Sequence, residues 1–452
     1  MKTTVTNVII VVLSLLLIFG TGMLKENYVN SKKVQTSSTV KKKTVETKTL
    51  KKGEKVEITI WSCYGNWDEA IEKFEKQYPY IKIKLRIIPY DECKEQYMEA
   101  LNTGEGPDIF VMDDSIFSNF NCMSGFEDLF EAPYYAGRYK EDIPETLWRL
   151  GMSFDKKKLL GIPCETTSLV TYYRADIMEQ YGFPTDPEEL AKFMENPSNW
   201  LEIAHTLKKD NKWILNYPAD IIKLYDSSKS IFNENMEFNR QDRTFYTAID
   251  TLKTIYKSSL ASYINVWSTE GQQALRDDKI AMLYLGSWGG EELQKWVPSQ
   301  SGKWRVTRLP FNLYGSNNSV IMSINAKSEN KLFAWTFIQY YIFSYKTNCV
   351  NGAIPAYLRL KTKINIESYS NQFLGGQKEQ LLYQDLVSEL NTHTITPLDE
   401  EANVIWHDHI INGISRGLQP NIIITNAKEE INNTYKEDRK ILLGTLKNNN
   451  EE

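Results

Sequence analysis

The feature that most constrains this fold is a change of hydrophobic period, repeated along residues 56–112. Val56-Glu57-Ile58-Thr59-Ile60-Trp61 alternates apolar and polar residues with a β-branched bias, which is how a strand buried on one face reads. From Asp68 to Tyr78 the apolar residues Ala70, Ile71, Phe74 and Tyr78 fall at helical spacing, behind an acidic start and ahead of Pro79. An amphipathic helix is predicted there. Ile81 to Ile88 alternates again, Glu92 to Leu101 reads as a helix, and Asp108 to Met112 is a short apolar run after Gly106-Pro107. A β-α-β-α-β order needs crossover helices over a largely parallel sheet, and such sheets bind ligands in loops beyond the carboxyl ends of their strands. After residue 165 the chain reads as mainly helical, with strands predicted at Ile280 to Leu285 and Ser319 to Ile324. No repeat with a period of about 20 to 50 residues is present, which argues against a solenoid or propeller.

At 452 residues the chain exceeds one ordinary core, because cores divide beyond about 250 to 300 residues. Two lobes are expected. Hydrophobic residues make up 42% and charged residues 25%, the balance of a chain that folds in water. A formal net charge of -5 lacks the basic excess of a nucleic-acid binder. Five cysteines, Cys63, Cys93, Cys122, Cys164 and Cys349, are an odd number without close CxxC pairs, so zinc or redox chemistry is not indicated and at least one thiol stays unpaired. A single disulfide is compatible with life outside the cell.

Lys2 followed by the apolar run Val8 to Leu24 reads as an export segment over 1–24, either a signal peptide cleaved near Gly20-Thr21-Gly22 or an uncleaved anchor. No cysteine lies beside it, so the lipid-modified cysteine of many tethered proteins is missing. Residues 25–55 are rich in Lys, Thr, Ser and Val and read as a linker.

Along the body, seven fragments in order resemble the family 1 extracellular solute-binding proteins, the group that includes maltose-binding and glycerol-phosphate-binding proteins. They are Ile58-Thr59-Ile60-Trp61-Ser62, Phe74 to Pro79, Gly104 to Phe110, Gly161-Ile162-Pro163 through Tyr172-Tyr173-Arg174, Ala281-Met282 through Gly286-Ser287-Trp288, Asn325-Ala326-Lys327, and Gly352 to Pro355. The resemblance spans residues 56 to about 440 and implies an α/β, periplasmic-binding-protein-like fold: two α/β lobes joined by a hinge crossed several times, with a ligand cleft between them. The matched segments put the N-terminal lobe at 56–165 with 319–365 and the C-terminal lobe at 166–318 with 366–452. A ligand touching both lobes stabilises the closed state. The implied role is that of an extracellular substrate-binding protein of an ABC importer, a monomer that carries a sugar, oligosaccharide or related polyol to membrane permease subunits. It is not an enzyme and needs no cofactor or metal. The implied location is the outer face of the cytoplasmic membrane, secreted or held by the N-terminal segment, with no nucleic acid as partner.

A polyhydroxyl ligand presents apolar C–H faces and a ring of hydroxyls, so its pocket needs flat aromatics and, around the edge, carboxylates or amides. The resemblance places Trp288, after the strand at Ile280 to Leu285, in the cleft. Tyr64 and Trp67 follow the carboxyl end of the first strand, where the family's ligand loop begins. For all three, core packing is the competing role. Asp113 and Asp114 follow the third strand, either as ligand contacts or as caps of the helix near Ser115. Glu165 follows the first hinge motif and is the expected ligand acceptor, and Asn317 offers either an amide contact or a turn residue. The aromatic that maltose-type binders carry in the last helical segment is displaced, with Asn403 at its register and Trp406 one turn later. His407 and His409 are two residues apart and do not share a helical face, which argues against a metal site.

Two other classes compete. An exported carbohydrate-active hydrolase needs a carboxylate pair about 5 to 10 Å apart, and no motif identifies one. HExxH and Walker signatures are also missing. A sensor presenting bound ligand to a membrane receptor would keep the fold and change its use.

Overall fold

The computed structural model describes residues 55–345, 352–357, 359, 369–390 and 396–447. The export segment and all but the last residue of the linker lie outside the described residues, as does Cys349. No helix among the described residues is long and apolar enough to cross a membrane.

Among the described residues eight strands organise the fold: β1 (Val56–Ser62), β2 (Ile81–Ile87), β3 (Ile109–Asp113), β4 (Ile162–Arg174), β5 (Met282–Gly286), β6 (Trp304–Thr307), β7 (Ser316–Ile324) and β8 (Ile354–Pro355). The opening pattern folds as its periodicity requires. Strands β2, β1 and β3 lie parallel in that order, and the helices Asp68–Gln77 and Tyr90–Thr103 make the crossovers. The apolar positions of β1, Val56, Ile58 and Ile60, are buried with Ala70 and Phe74 from the first helix and Ala334, Phe337 and Ile338 from the helix Lys331–Phe343. On the other face Cys93 and Tyr97 pack with Phe110, Met112 and Phe117.

Strand β7 runs antiparallel to β3, and β4 antiparallel to β7. The 13-residue β4 is the structural spine. Its first half pairs with β7 and β8 in the first sheet, while Leu169 to Arg174 pair with β5 and β6 on the far side of the hinge. The sequence pattern does not announce this strand, because β4 is covered on both faces and shows almost continuous burial, which erases the two-residue period. The second core gathers Tyr173 and Met282 with Trp200, Ile203, Phe245, Ile249, Leu252 and Trp406. Several of its helices begin at side-chain caps where the sequence supplies Asp or Asn: Asp186 accepts from the Glu188 and Glu189 N–H groups, Asn196 from Ser198 and Asp242 from Thr244.

The chain meets the hinge a third time at Gly352, whose carbonyl accepts a hydrogen bond from Ser287 Oγ. A Cβ at Gly352 would collide with the Ser287 carbonyl, and its φ is +67°, so close approach and a left-handed backbone both call for glycine. Cys63 and Cys93 form a disulfide with 6.2 Å between Cα atoms, while Cys122 and Cys164 are free thiols.

Candidate functional site

The sheet directions create two facing rims. β3 runs toward the hinge and ends at Asp113, level with Val320 of β7, which in turn pairs with Glu165 of β4. From the opposite side β5 also runs toward the hinge and ends at Gly286, paired with Leu169. The two ends are four positions apart along β4, about 13 Å of extended chain. The carboxyl edges of both sheets thus open onto one short stretch of floor, the location at which open α/β sheets bind ligands.

On the first rim Asp113 is the organising group. Its Oδ2 accepts from the hydroxyls of Tyr64 and Tyr90, both at 2.7 Å, and its Oδ1 from Ser115 Oγ at 2.7 Å and the Ile116 N–H at 2.9 Å. The cap expected of this pair of aspartates is made by Asp113, and its carboxylate fixes the two tyrosines. Burial and the neighbouring Asp113 carboxylate push both phenols well above their ordinary range, so they remain neutral donors. Tyr64 in turn is the acceptor for Asn318 Nδ2 at 3.5 Å. Asp114 is buried beneath and accepts from the Ser319 N–H at 3.2 Å. Desolvation, then the Asp113 charge, raises its carboxyl to about 7.

Trp67 belongs to the core: it is 4% exposed, its indole N–H donates to the Tyr64 carbonyl at 2.8 Å, and its ring lies 4.8 Å from that of Tyr341. It supports the Tyr64 loop from below. Asn317 lies in β7, and its side chain is outside the described residues.

The floor carries Glu165 at a register shift of β4. Burial alone raises its carboxyl to about 7, and no donor among the described residues bonds to it. Beside it Thr166 Oγ1 and Ser319 Oγ share a hydrogen bond of 2.8 Å between the two hinge strands.

The second rim is aromatic. Ser287 donates its N–H to the Ser168 carbonyl at 2.8 Å, which fixes the start of the next turn against the hinge strand. Trp288 follows it, half-buried, with its ring 5.8 Å from that of Trp267. Trp213 bridges Ile280 in the parallel sense, so the segment after Trp213 runs beside β5 and brings Asn216 and Tyr217 to the same carboxyl edge. Sequence reasoning passed over Tyr90, Tyr217, Tyr263 and Trp267. Asn216-Tyr217 was discoverable as the end of the apolar run Trp213-Ile214-Leu215; Tyr263 and Trp267 sit in an aperiodic loop that offers no such signal. On the other edge of β4 a cavity of about 570 Å³ opens between Lys229, Asn233, Asp242, Phe311 and Tyr314, a few residues before Asn318.

The histidine pair diverges: His407 Nε2 meets Asp226 at 2.7 Å and His409 Nε2 meets Glu430 at 2.6 Å. Asn403 accepts from the buried Arg240 guanidinium at 2.7 Å, and Trp406 is fully buried. The Asn403 amide oxygen is thus committed to Arg240.

Comparisons agree with this geometry. A solved family 1 extracellular solute-binding protein superimposes with a TM-score of 0.70 at 16% identity, covering 84% of this chain and 99% of that one. The galacto-N-biose/lacto-N-biose I-binding protein of the ABC transporter from Bifidobacterium longum, solved with lacto-N-biose, gives 0.69 at 17% identity over 86% of this chain and 98% of that one. The sugar-binding protein MalE from Xanthomonas citri gives 0.67 at 16%, over 88% of this chain and all of that one (100%). These establish the two-lobed periplasmic-binding-protein fold. Among curated sequences, the lactose-binding protein of Rhizobium radiobacter is 24% identical over 357 residues, which is 71% of this chain and 79% of that protein. Residues 69–346 match the family model described as bacterial extracellular solute-binding protein, and the chain belongs to that family.

Proposed function

We propose that the chain captures a carbohydrate between its lobes and delivers it to the permease subunits of an ABC importer on the outer face of the cytoplasmic membrane, as a monomer and without chemical turnover. The observation that carries this reading is the pair of opposed carboxyl edges over β4, one lined with fixed hydroxyls and carboxyls and the other with indole rings. Such a pairing suits a guest with apolar faces and a hydroxyl rim. Support comes from the relatives, which include a lactose-binding protein and a binding protein solved with lacto-N-biose. The lobes divide at 56–165 with 319–365 and 166–318 with 366–452. Tyr64, Asp114, Glu165 and Trp288 contact the guest, Asn317 borders it, and Asp113 and Trp67 hold Tyr64 in place. The N-terminal segment provides export or attachment.

A thermal-shift screen of residues 53–452 against a mixed carbohydrate panel tests this. A sugar at a hundredfold excess over its Kd stabilises the body by about 2.7 kcal/mol and is recovered unchanged. Trp288→Ala weakens that sugar about tenfold or more while the fold is retained. Consumption of a panel member, or no stabilisation by any, refutes the reading.

A further inference from the structure

Beyond Trp288 the second rim continues outward. Tyr263 is 61% exposed, Trp267 54% and Tyr217 39%, a density of open aromatic surface that water does not favour without a guest. The rings are arranged in two pairs: Trp267 with Trp288 at 5.8 Å, and Tyr217 edge-on to Tyr263 at 6.2 Å. Tyr263 and Trp267 are four positions apart, a reach of up to about 14 Å. One sugar ring covers one pair, and both pairs together call for a chain of rings.

Two further observations converge on Tyr263. Its φ is +59°, a conformation that costs a bulky residue energy and persists where the surroundings enforce it. Here the Tyr263 N–H is held by the Asn216 carbonyl at 2.7 Å. The side-chain oxygen of that same Asn216 is buried and has no hydrogen-bond partner among the described residues, and an unmet buried acceptor is a cost that a donor from a guest removes. Exposed rings, a strained backbone that presents one of them, and a vacant acceptor beside them form a wall suited to a hydroxyl-bearing chain.

We infer that the crevice takes an oligosaccharide, with Tyr263 and Tyr217 forming an outer platform for units beyond those at Trp288, so that Tyr263 sets the preferred chain length. This rests on the carbohydrate reading above. The platform is continuous with the hinge rim through the Trp267–Trp288 contact, which is why its occupant is the outer part of the same ligand.

The test is calorimetric titration with two series, galactose to a galactotetraose and glucose to maltotetraose. Within a series that binds, wild-type affinity rises about fivefold or more from the disaccharide to the tetrasaccharide. Tyr263→Ala removes that rise and leaves the disaccharide affinity unchanged, while Tyr263→Phe keeps most of it; unaltered melting curves verify both folds. Equal wild-type affinity at every length, or an equal loss at every length in Tyr263→Ala, overturns the platform while leaving carbohydrate capture intact. No binding of either series by a protein that the wider panel stabilises overturns it as well, and no binding of any sugar removes the carbohydrate reading and the platform together.

Discussion

The two rims of the crevice are built on opposite principles. On the first, Asp113 is saturated by four donors, the tyrosines it fixes are tied to each other through it, and the Cys63–Cys93 disulfide joins the loop after β1 to the helix that carries Tyr90. On the second, Tyr263 stands largely in solvent and the Asn216 side-chain oxygen is vacant. A wall whose groups are already held loses little freedom when a guest arrives, whereas a wall of open rings gains most from the area that the guest covers. The first rim is organised to select and the second to grip.

Unfastening the first rim gives the largest expected effect. The disulfide spans a sequence separation of 30, for which chain entropy gives about 3.6 kcal/mol of stability. Cys63→Ala with Cys93→Ala lowers the unfolding free energy in urea by about that amount. Ligand affinity falls with it, since Tyr64 and Tyr90 lose a shared tether. If the double variant binds as tightly as the wild type, Asp113 alone organises that rim and the disulfide only stabilises the lobe.

The floor between the rims sharpens the comparison through pH. Glu165 and Asp114 both have carboxyls raised to about 7 by burial, above their values in the unfolded chain, so the folded state binds protons more tightly. Their contribution to stability is complete below pH 4 and is lost as pH rises through 7. Between pH 5 and pH 8 each group accounts for a loss of about 2 kcal/mol. Glu165→Gln flattens the urea stability profile over that interval by its share. An unchanged slope places the Glu165 carboxyl in contact with water.

What the sequence discloses follows from how each segment is covered. Strands β1 and β2 and their crossover helices are covered on one side, so their periods of two and 3.6 survive and their limits are legible to within a residue or two. Strand β4 is covered on both sides and appeared only as a motif between Gly161 and Arg174. Trp67 and Trp288 follow strands in the same manner in sequence, yet one is 4% exposed beneath Tyr64 and the other half-buried against Trp267. Only the packing of the helix Lys331–Phe343, remote in sequence, separates them. The disulfide pairing was hidden for a similar reason: it depends on the β1 loop and the second helix lying side by side, which spacing does not express.

The smallest expected effect concerns how the two rims are joined. Glu400, in the first turn of the helix Asp399–Ser415, which the proposed division puts on the second lobe, accepts from Lys94 Nζ at 2.7 Å and Asn119 Nδ2 at 3.3 Å, both on the proposed first lobe. Glu234 on the second lobe meets Lys156 at 3.0 Å and Arg149 at 3.6 Å. On that division acidic groups of one lobe face basic groups of the other at two places, and each pair is expected to part when the lobes separate. The Lys94 and Glu400 side chains are 37% and 57% exposed, so their pairing contributes less than about 1 kcal/mol and is screened by salt. Glu400→Gln is expected to weaken ligand binding about twofold to threefold at low ionic strength, because a ligand that selects the closed state loses affinity in proportion to that state's population, and the difference is expected to vanish near 0.5 M salt. A loss that persists in high salt would assign Glu400 to ligand contact instead of lobe closure, and would make the second rim a partner in selection.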